Sequence, residues 1–201
     1  MARAGLAGTL RWLVVFGAFA LGAWLQARGT IPAILSHSGD VTYLIRQHLA
    51  LAAMSGAIAL IVGIPLGILL TRPRFEIFAD AVTQIVNLGT TIPTLALLAI
   101  SMSFLGIGSP PAVFALFVLT LLPIVLNTIA GLRSVPQHLI EAARGMGMTP
   151  GQILRRVELP NAVFVILAGV RTAFAINIGT VPLAFLIGGG GLGELIFTGI
   201  D

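Results

Sequence analysis

The side chains that could do covalent or metal chemistry are few and scattered along this 201-residue chain. The sequence contains no cysteine, and its three histidines, His37, His48 and His138, are far apart. Paired carboxylates and nucleophile–base sets are missing, so Glu141 alone does not indicate acid–base catalysis. The chain is therefore expected to be no enzyme, and we expect it to bind no metal ion and no cofactor of its own.

A glycine-rich segment at residues 188–193 is the feature closest to a nucleotide-binding loop. All eleven basic residues are arginine, whereas a P-loop needs a lysine on the β- and γ-phosphates. The segment also follows a long apolar run, so we interpret it as a flexible turn at the outer face of a membrane. The arginines are spread through loops between apolar runs, which argues against nucleic acid as a partner.

The composition indicates an integral membrane protein. Apolar residues make up 57% of the chain and charged residues 9%, and the mean hydropathy is +1.05. Water-soluble domains have roughly 45–50% apolar and 25% charged residues. Five apolar runs are too long for transmembrane β-strands and do not alternate in polarity: they are 12–27, 49–70, 81–106, 112–132 and 162–187. The predicted fold is an all-α membrane protein, a polytopic bundle of five transmembrane helices.

The first run has two interpretations. A cleaved signal peptide would have its cleavage site at Ala18-Phe19-Ala20, but only about six apolar residues precede that site, against the usual 7–15. We therefore favour an uncleaved membrane anchor.

The arginine distribution predicts the orientation, because cytoplasmic loops carry an excess of basic residues. With the N-terminus in the cytoplasm, Arg28 and Arg46 lie outside and Arg171 lies within the last run. The other eight are then all cytoplasmic: Arg3, Arg11, Arg72, Arg74, Arg133, Arg144, Arg155 and Arg156. This orientation places residues 133–160 in the cytoplasm and Asp201 outside.

Small residues and prolines within the runs predict how the helices pack. Ala59, Gly63 and Gly67 form a stripe at spacing four, which lets helix backbones approach closely. Three prolines lie inside or near the second, third and fourth runs: Pro65, Pro93 and Pro123. Each has two interpretations, bundle packing or a hinge that lines a transport pathway.

Polar residues within the apolar runs are further candidates for a pathway or a helix interface. Arg171 lies about 16 Å of helical rise beyond Pro160. It either faces a pathway or a partner helix, or it extends to the cytoplasmic interface because its helix begins below the membrane. Hydrogen bonds between helices are the default expectation for Asn127 and Asn177. Thr91 and Pro93 belong to the same group of candidates.

Residues 133–160 form the one long polar segment, and the pattern there predicts two short helices. Ser134 with Gln137 predicts a capping box that opens the first helix. Gly145 and Gly147 are expected to end it, because glycine readily adopts the left-handed conformation of a helix C-cap.

The second helix is predicted to start at once. Thr149 is the expected N-cap, Pro150 suits the first helical position, and Gln152 completes a second capping box. The pair Leu159-Pro160 is expected to end this helix where the chain re-enters the membrane.

Both helices are predicted to be amphipathic. Leu139, Ala143 and Met146 would share one face of the first helix, and the second has its own apolar face: Ile153, Leu154 and Val157. Such a helical pair either docks in a groove of another protein or lies on lipid headgroups. The residues alone leave both interpretations open.

A spaced motif in this segment resembles a known family. Its residues are Glu141, Ala142, Ala143, Gly147, Val157, Leu159 and Pro160. Their spacing, EAA-x3-G-x9-V-x-LP, is similar to the EAA motif of ABC importer permeases, with Val157 in place of isoleucine. The resemblance implies that these residues dock into a cleft on a separate ATPase subunit, which binds the ATP. Gly147 would then lie at the sharp turn between the two helices.

Four other segments resemble permeases for glycine betaine, choline and related osmoprotectants: residues 63–72, 91–98, 176–180 and 188–193. This similarity covers roughly residues 41–201, the expected permease domain, and leaves residues 1–40 as an extra N-terminal anchor and outer loop. Leu126 departs from the pattern, because relatives often have arginine there. Relatives also continue with one more helix, so a closing helix is expected to be missing after Asp201.

The resemblance implies a type I permease of a bacterial cytoplasmic membrane that imports quaternary-amine osmoprotectants by alternating access. Its expected partners are ATPase subunits, a second permease subunit (identical or paralogous) and a substrate-binding protein outside the membrane. An importer for methionine, nitrate or sulfonates is an alternative of the same class. A membrane scaffold or channel is the alternative from another class.

Overall fold

The computed structural model describes residues 2–29, 36–75, 78, 81–82, 84–85, 89 and 91–199. Within this part of the chain all regular structure is helical, which confirms the predicted all-α class. The α-helices are α1 (Ala2–Ala27), α2 (Ser38–Leu70), α3 (Thr94–Leu105), α4 (Ser109–Arg133), α5 (Gln137–Gly145), α6 (Pro150–Ile153), α7 (Leu159–Thr180) and α8 (Gly193–Thr198). A π-helical turn, Leu154–Glu158, joins α6 to α7. One 3-10 segment, Pro73–Phe75, follows α2, and another, Val181–Ile187, follows α7.

The chain divides into two compact units, Met1–Tyr43 and Leu44–Asp201. The first unit contains α1, which covers the first predicted run and exposes both tryptophans, Trp12 and Trp24. The Arg28 guanidinium lies 4.9 Å from the centre of the Trp24 ring. Aromatic and basic residues at a helix end are typical of a membrane interface.

Within the described residues, three helical stretches are long and apolar enough to cross a membrane: Ser38–Leu70, Ser109–Arg133 and Pro150–Ile187. The apolar stretches Val14–Ala27 and Thr94–Leu105 are shorter. The third predicted run, 81–106, lies partly outside the described residues, and α3 begins only at Thr94. Pro93 explains this start, because proline has no N–H and disfavours helical backbone in the residue before it.

The predicted small-residue stripe is confirmed as the contact between α2 and α4. Ala59, Gly63 and Gly67 are all buried. A Cβ on Gly63 would lie 2.9 Å from Ile124, and one on Gly67 would lie 2.5 Å from the Cβ of Thr128. Two of the three prolines, Pro65 and Pro123, sit inside continuous helices, so neither ends its helix.

A buried polar contact joins α2 to α7. The Asn177 amide nitrogen donates to the Ser55 hydroxyl at 2.9 Å and to the Ala52 carbonyl at 3.3 Å. The expected bond between helices is therefore confirmed for Asn177, which is 1% exposed. A Cβ on Gly56 would lie 2.6 Å from the Phe174 ring. Contacts move from Asn177 back to Phe174 as they move forward from Ala52 to Gly56, so α2 and α7 run antiparallel.

The same expectation is wrong for Asn127. Its side-chain nitrogen donates to the Pro123 carbonyl of the same helix at 2.8 Å. Gly169 of α7 lies so close that a Cβ there would overlap the Asn127 side chain. The Asn127 side chain therefore packs against backbone, and its amide turns back along α4.

Candidate functional site

The helix α5 carries the start of the 133–160 motif, and its capping differs from the prediction. Ser134 does not cap α5, because α4 continues to Arg133 and the Ser134 hydroxyl donates back to the Gly131 carbonyl at 2.7 Å. Pro136 occupies the N-cap position instead, without a side-chain hydrogen bond. The predicted capping box at Ser134 and Gln137 is therefore wrong.

The buried face of α5 is narrower than predicted. Ala143 is 1% exposed, and Ile140 packs against a cluster formed by α4 and α7, whereas Met146 is 70% exposed. The helix ends at Gly145, so Met146 leaves the helical face on which it was expected. Ala143 thus faces the bundle of this chain and lies under the exposed surface, not on it.

Gly147 forms the turn between the two short helices, as predicted. Its φ is +77°, a left-handed conformation that favours glycine. The N–H of Gly147 donates to the Arg144 carbonyl at 2.9 Å, and the N–H of Met148 donates to the Ala143 carbonyl at 3.1 Å. These two bonds form a Schellman motif. Gly145 is only the last residue of α5 and has no positive φ.

The second predicted capping box is confirmed at the start of α6. The Gln152 N–H donates to the Thr149 hydroxyl oxygen at 3.4 Å, and the Thr149 N–H donates to the Gln152 side-chain oxygen at 2.9 Å. Pro150 occupies the first turn, where its missing N–H costs nothing.

Leu159-Pro160 does not end the second helix, which corrects the prediction. The Leu159 N–H bonds the Leu154 carbonyl across the π-helical turn, and the Asn161 side chain donates to the Val157 carbonyl at 2.7 Å. This local change of hydrogen bonding accommodates Pro160 without a break. Residues Pro150–Ile187 therefore form one helical stretch of 38 residues, about 57 Å long.

An ion pair that sequence patterns did not predict fixes the π-helical turn to the end of α2. The Arg72 guanidinium donates to a Glu158 carboxylate oxygen at 2.6 Å. The same guanidinium also donates to the Ile68 carbonyl at 3.2 Å. The pair lies beside a cavity of about 290 Å³ that Arg133 and Arg144 also line, so this concave surface next to α5 is basic.

The other residues of the motif differ in exposure. Glu141 and Ala142 are exposed on α5, Val157 and Leu159 are half-buried, and Pro160 is exposed. Glu141, Ala142 and the Gly147 turn lie just before the helical stretch that begins at Pro150 and enters the bundle as α7.

The pathway candidates lie in different surroundings. Thr91 and Pro93 are exposed at the turn before α3, and Asn177 is buried between helices. Asn127 is half-buried against α7, whereas Arg171 is exposed on α7. The structure thus assigns Asn177 and Asn127 to helix packing and leaves Arg171 on an outer face of this chain.

The glycine-rich segment 188–193 is tightly packed, which corrects its interpretation as a flexible turn. The Gly191 N–H donates to the Gln47 side-chain oxygen at 2.9 Å. Gly188 and Gly190 also have positive φ values, and a Cβ on Gly190 would overlap the Gln47 amide. The glycines are needed because this backbone passes directly against α2. Sequence reasoning missed Gln47, since 144 residues separate it from Gly191.

The sequence matches a family model and several described proteins. Residues 63–201 match the model described as binding-protein-dependent transport system inner membrane component. The osmoprotectant import permease protein OsmY of Salmonella typhimurium is 60% identical over 161 residues, 80% of this chain and 68% of that protein. The choline transport system permease protein OpuBB of Bacillus subtilis is 42% identical over 166 residues, 83% of this chain and 76% of that protein.

Solved structures share the fold. A chain of the MetNI methionine ABC transporter, in an inward-facing conformation, superimposes with a TM-score of 0.71 at 29% identity, covering 79% of both chains. A chain of an amino acid ABC transporter superimposes with a TM-score of 0.67 at 19% identity, covering 84% of this chain and 82% of that one. The second likeness concerns the fold alone.

Proposed function

Because the chain belongs to the family of binding-protein-dependent transport system inner membrane components, we propose that it admits quaternary-amine osmoprotectants such as glycine betaine, carnitine and choline. It is a membrane-embedded permease of a bacterial ABC importer, a class that works with ATPase and substrate-binding partners. The 60% identity with an osmoprotectant import permease carries the substrate class. The MetNI methionine transporter is 29% identical. This lower identity supports the shared fold, and it favours methionine as the substrate less than the 60% identity favours osmoprotectants.

The ATPase is proposed to dock on the exposed part of the motif. That surface comprises Glu141, Ala142 and the Gly147 turn, and α6 continues it. Ala143 would contribute indirectly, because its burial holds α5 against the bundle. The remaining motif residues would not contact the ATPase directly. They would determine the direction in which the helix enters the membrane: Val157, Leu159 and Pro160.

The coupling route follows from the continuity of α6 with α7. A displacement of α6 by the ATPase is transmitted along a rigid helical stretch to the middle of the bundle. The Arg72–Glu158 ion pair would carry the same displacement to α2. ATP can drive the permease dimer, with an identical or paralogous subunit, to open outward only if it binds that state more tightly than the inward-open one.

Substrate selection is proposed to take place mainly in the binding protein outside the membrane. Quaternary ammonium groups are usually held in aromatic cages, but this chain has one tyrosine and two tryptophans, both in α1. Exchanging the binding protein while keeping the permease is expected to change the transported solute. The test is uptake of labelled glycine betaine, carnitine and choline by cells that carry either binding protein. Unchanged selectivity after the exchange would contradict this assignment, and uptake of none of the three would contradict the proposed substrate class.

The proposed orientation places the N-terminus and residues 133–160 in the cytoplasm and the start of α4 outside. The chain has no cysteine, so the labelling of a single introduced cysteine shows on which side of the membrane that residue lies. A membrane-impermeant thiol reagent is expected to label Ser109→Cys in intact spheroplasts and to label Gly145→Cys only after lysis. Both positions are exposed in this chain. The reverse labelling pattern would invert the proposed orientation.

A further inference from the structure

The contacts between α2 and α7 fix the depth of Arg171 in the membrane. Arg46 and Arg72 flank the apolar part of α2 and are 26 residues apart, about 39 Å of helical rise. Phe174 lies against Gly56. Arg171 precedes Phe174 by three residues in the antiparallel α7, so it is level with Ala59, midway between Arg46 and Arg72. Arg171 therefore lies about 20 Å from the level of either terminal arginine.

At this depth Arg171 cannot extend to an interface. The hydrocarbon core is about 30 Å thick, so its midplane is roughly 15 Å from water on either side. A lone arginine at the centre of a membrane helix is costly, and such residues face a water-filled cavity or a charged partner. We therefore favour the other alternative, in which Arg171 faces a pathway or a partner helix.

The counter-charge for Arg171 must come from outside the apolar runs of this chain. None of the seven acidic residues falls within 49–70, 81–106, 112–132 or 162–187. Arg171 makes no ion pair with the residues that the structure describes, and it is exposed. A second copy of this chain would bring no carboxylate to the membrane midplane either. A transported solute with a carboxylate would supply one.

The surroundings of Arg171 leave room for such a solute. Ala168, Thr172 and Ala175 are exposed next to it on α7, at spacings that place them on the adjoining part of the same helix face. The Thr172 hydroxyl is bound to the Ala168 carbonyl at 3.0 Å, so it does not compete for the guanidinium. Ala168 and Ala175 thus leave space on one part of this face, next to the larger exposed Leu167. The planar Arg171 cation can bind a carboxylate there through two parallel hydrogen bonds.

We propose that Arg171 faces the translocation path and binds the carboxylate of a zwitterionic osmoprotectant, thereby favouring glycine betaine and carnitine over choline. This inference rests on the proposed function, because it assigns a selectivity to the same pathway. Choline has the quaternary ammonium group but no carboxylate, so Arg171 repels it instead of binding it.

The test is uptake into proteoliposomes that contain the complete transporter with its ATPase and binding protein. Arg171→Gln is expected to lower ATP-driven uptake of labelled glycine betaine by about 10- to 100-fold, the value of a charge-assisted hydrogen bond. Arg171→Lys keeps the charge and is expected to restore part of the uptake. Choline uptake is expected to be unchanged or higher in Arg171→Gln, so the ratio of glycine betaine to choline uptake falls.

Matched readouts separate this role from a structural one. Thr172→Val, an isosteric change on the same face, should leave the ratio unchanged, and ATP hydrolysis stimulated by the loaded binding protein should persist in Arg171→Gln. An equal loss of both solutes, or loss of subunit assembly, overturns the inference and makes Arg171 a contact with the partner subunit. A wild type that imports only choline overturns the inference but leaves the proposed function standing. A wild type that imports none of these solutes overturns both.

Discussion

Gly147→Asp is expected to insert into the membrane normally and to lose most of its association with the ATPase subunit. A Cβ at Gly147 would meet nothing within 4 Å in this chain, so the fold itself has space for the side chain. The cost arises in the left-handed turn, at about 1–2 kcal/mol, and in a tight docking cleft, where overpacking costs about 1–3 kcal/mol. Together these weaken docking by roughly one to four decades.

The measurement is co-purification of the ATPase and substrate-stimulated ATP hydrolysis by the assembled transporter. Gly145→Asp is the matched control, because it places the same side chain two residues away in open space and without a positive φ. Its effect should be much smaller. Gly147→Ala isolates the backbone strain from the added bulk and charge. Wild-type coupling in Gly147→Asp would refute the docking assignment.

Gly193→Ala is expected to destabilise the end of the bundle that contains the glycine-rich segment strongly, although it adds a single methyl group. That methyl would overlap the Pro182 carbonyl oxygen and lie 2.9 Å from the Cβ of Phe185. The obstacle is backbone, so no side-chain rotation relieves it. We expect a cost of about 3 kcal/mol, the upper end of the usual range for overpacking.

For a chain of this size that cost lowers the thermal midpoint by roughly 6–12 °C. The measurement is thermal unfolding of the purified chain in detergent. Gly179→Ala is the matched control, because Gly179 is exposed on α7 with nothing within 4 Å of its Cβ position. Alanine there should be neutral or should stabilise by about 0.5–1 kcal/mol, since glycine is costly within a helix. An unchanged midpoint for Gly193→Ala would contradict the close packing of the glycine-rich segment.

Local patterns in the sequence were enough for the class of the fold and much of the candidate site. Three of the five apolar runs predicted the described helical stretches that are long enough to cross a membrane. Thr149 with Gln152 predicted the start of α6. Gly147 was identified as the turn, because a left-handed residue after a helix is a local requirement. These features depend on interactions between residues within about five positions, and the motif spacing that carries the family resemblance spans only residues 141–160.

Proline marks the limit of local reasoning. Pro93 does separate α3 from the residues before it, whereas Pro160 lies in a continuous helix. The same residue type gives both outcomes, because the π-helical turn and the Asn161 side chain supply other hydrogen bonds near Pro160. The residue types alone do not predict whether the surrounding structure supplies other hydrogen bonds at a proline.

The tertiary structure alone decided which surfaces are buried and which charges are paired. Arg72 and Glu158 are 86 residues apart, and Gln47 and Gly191 are 144 apart. Ala143 is buried because α5 packs against α4 and α7, and Arg171 is level with the middle of the apolar part of α2 because Phe174 meets Gly56. Each of these results depends on which helices become neighbours. Helix packing sets that arrangement over the whole bundle, whereas periodicity and capping act within one or two helical turns.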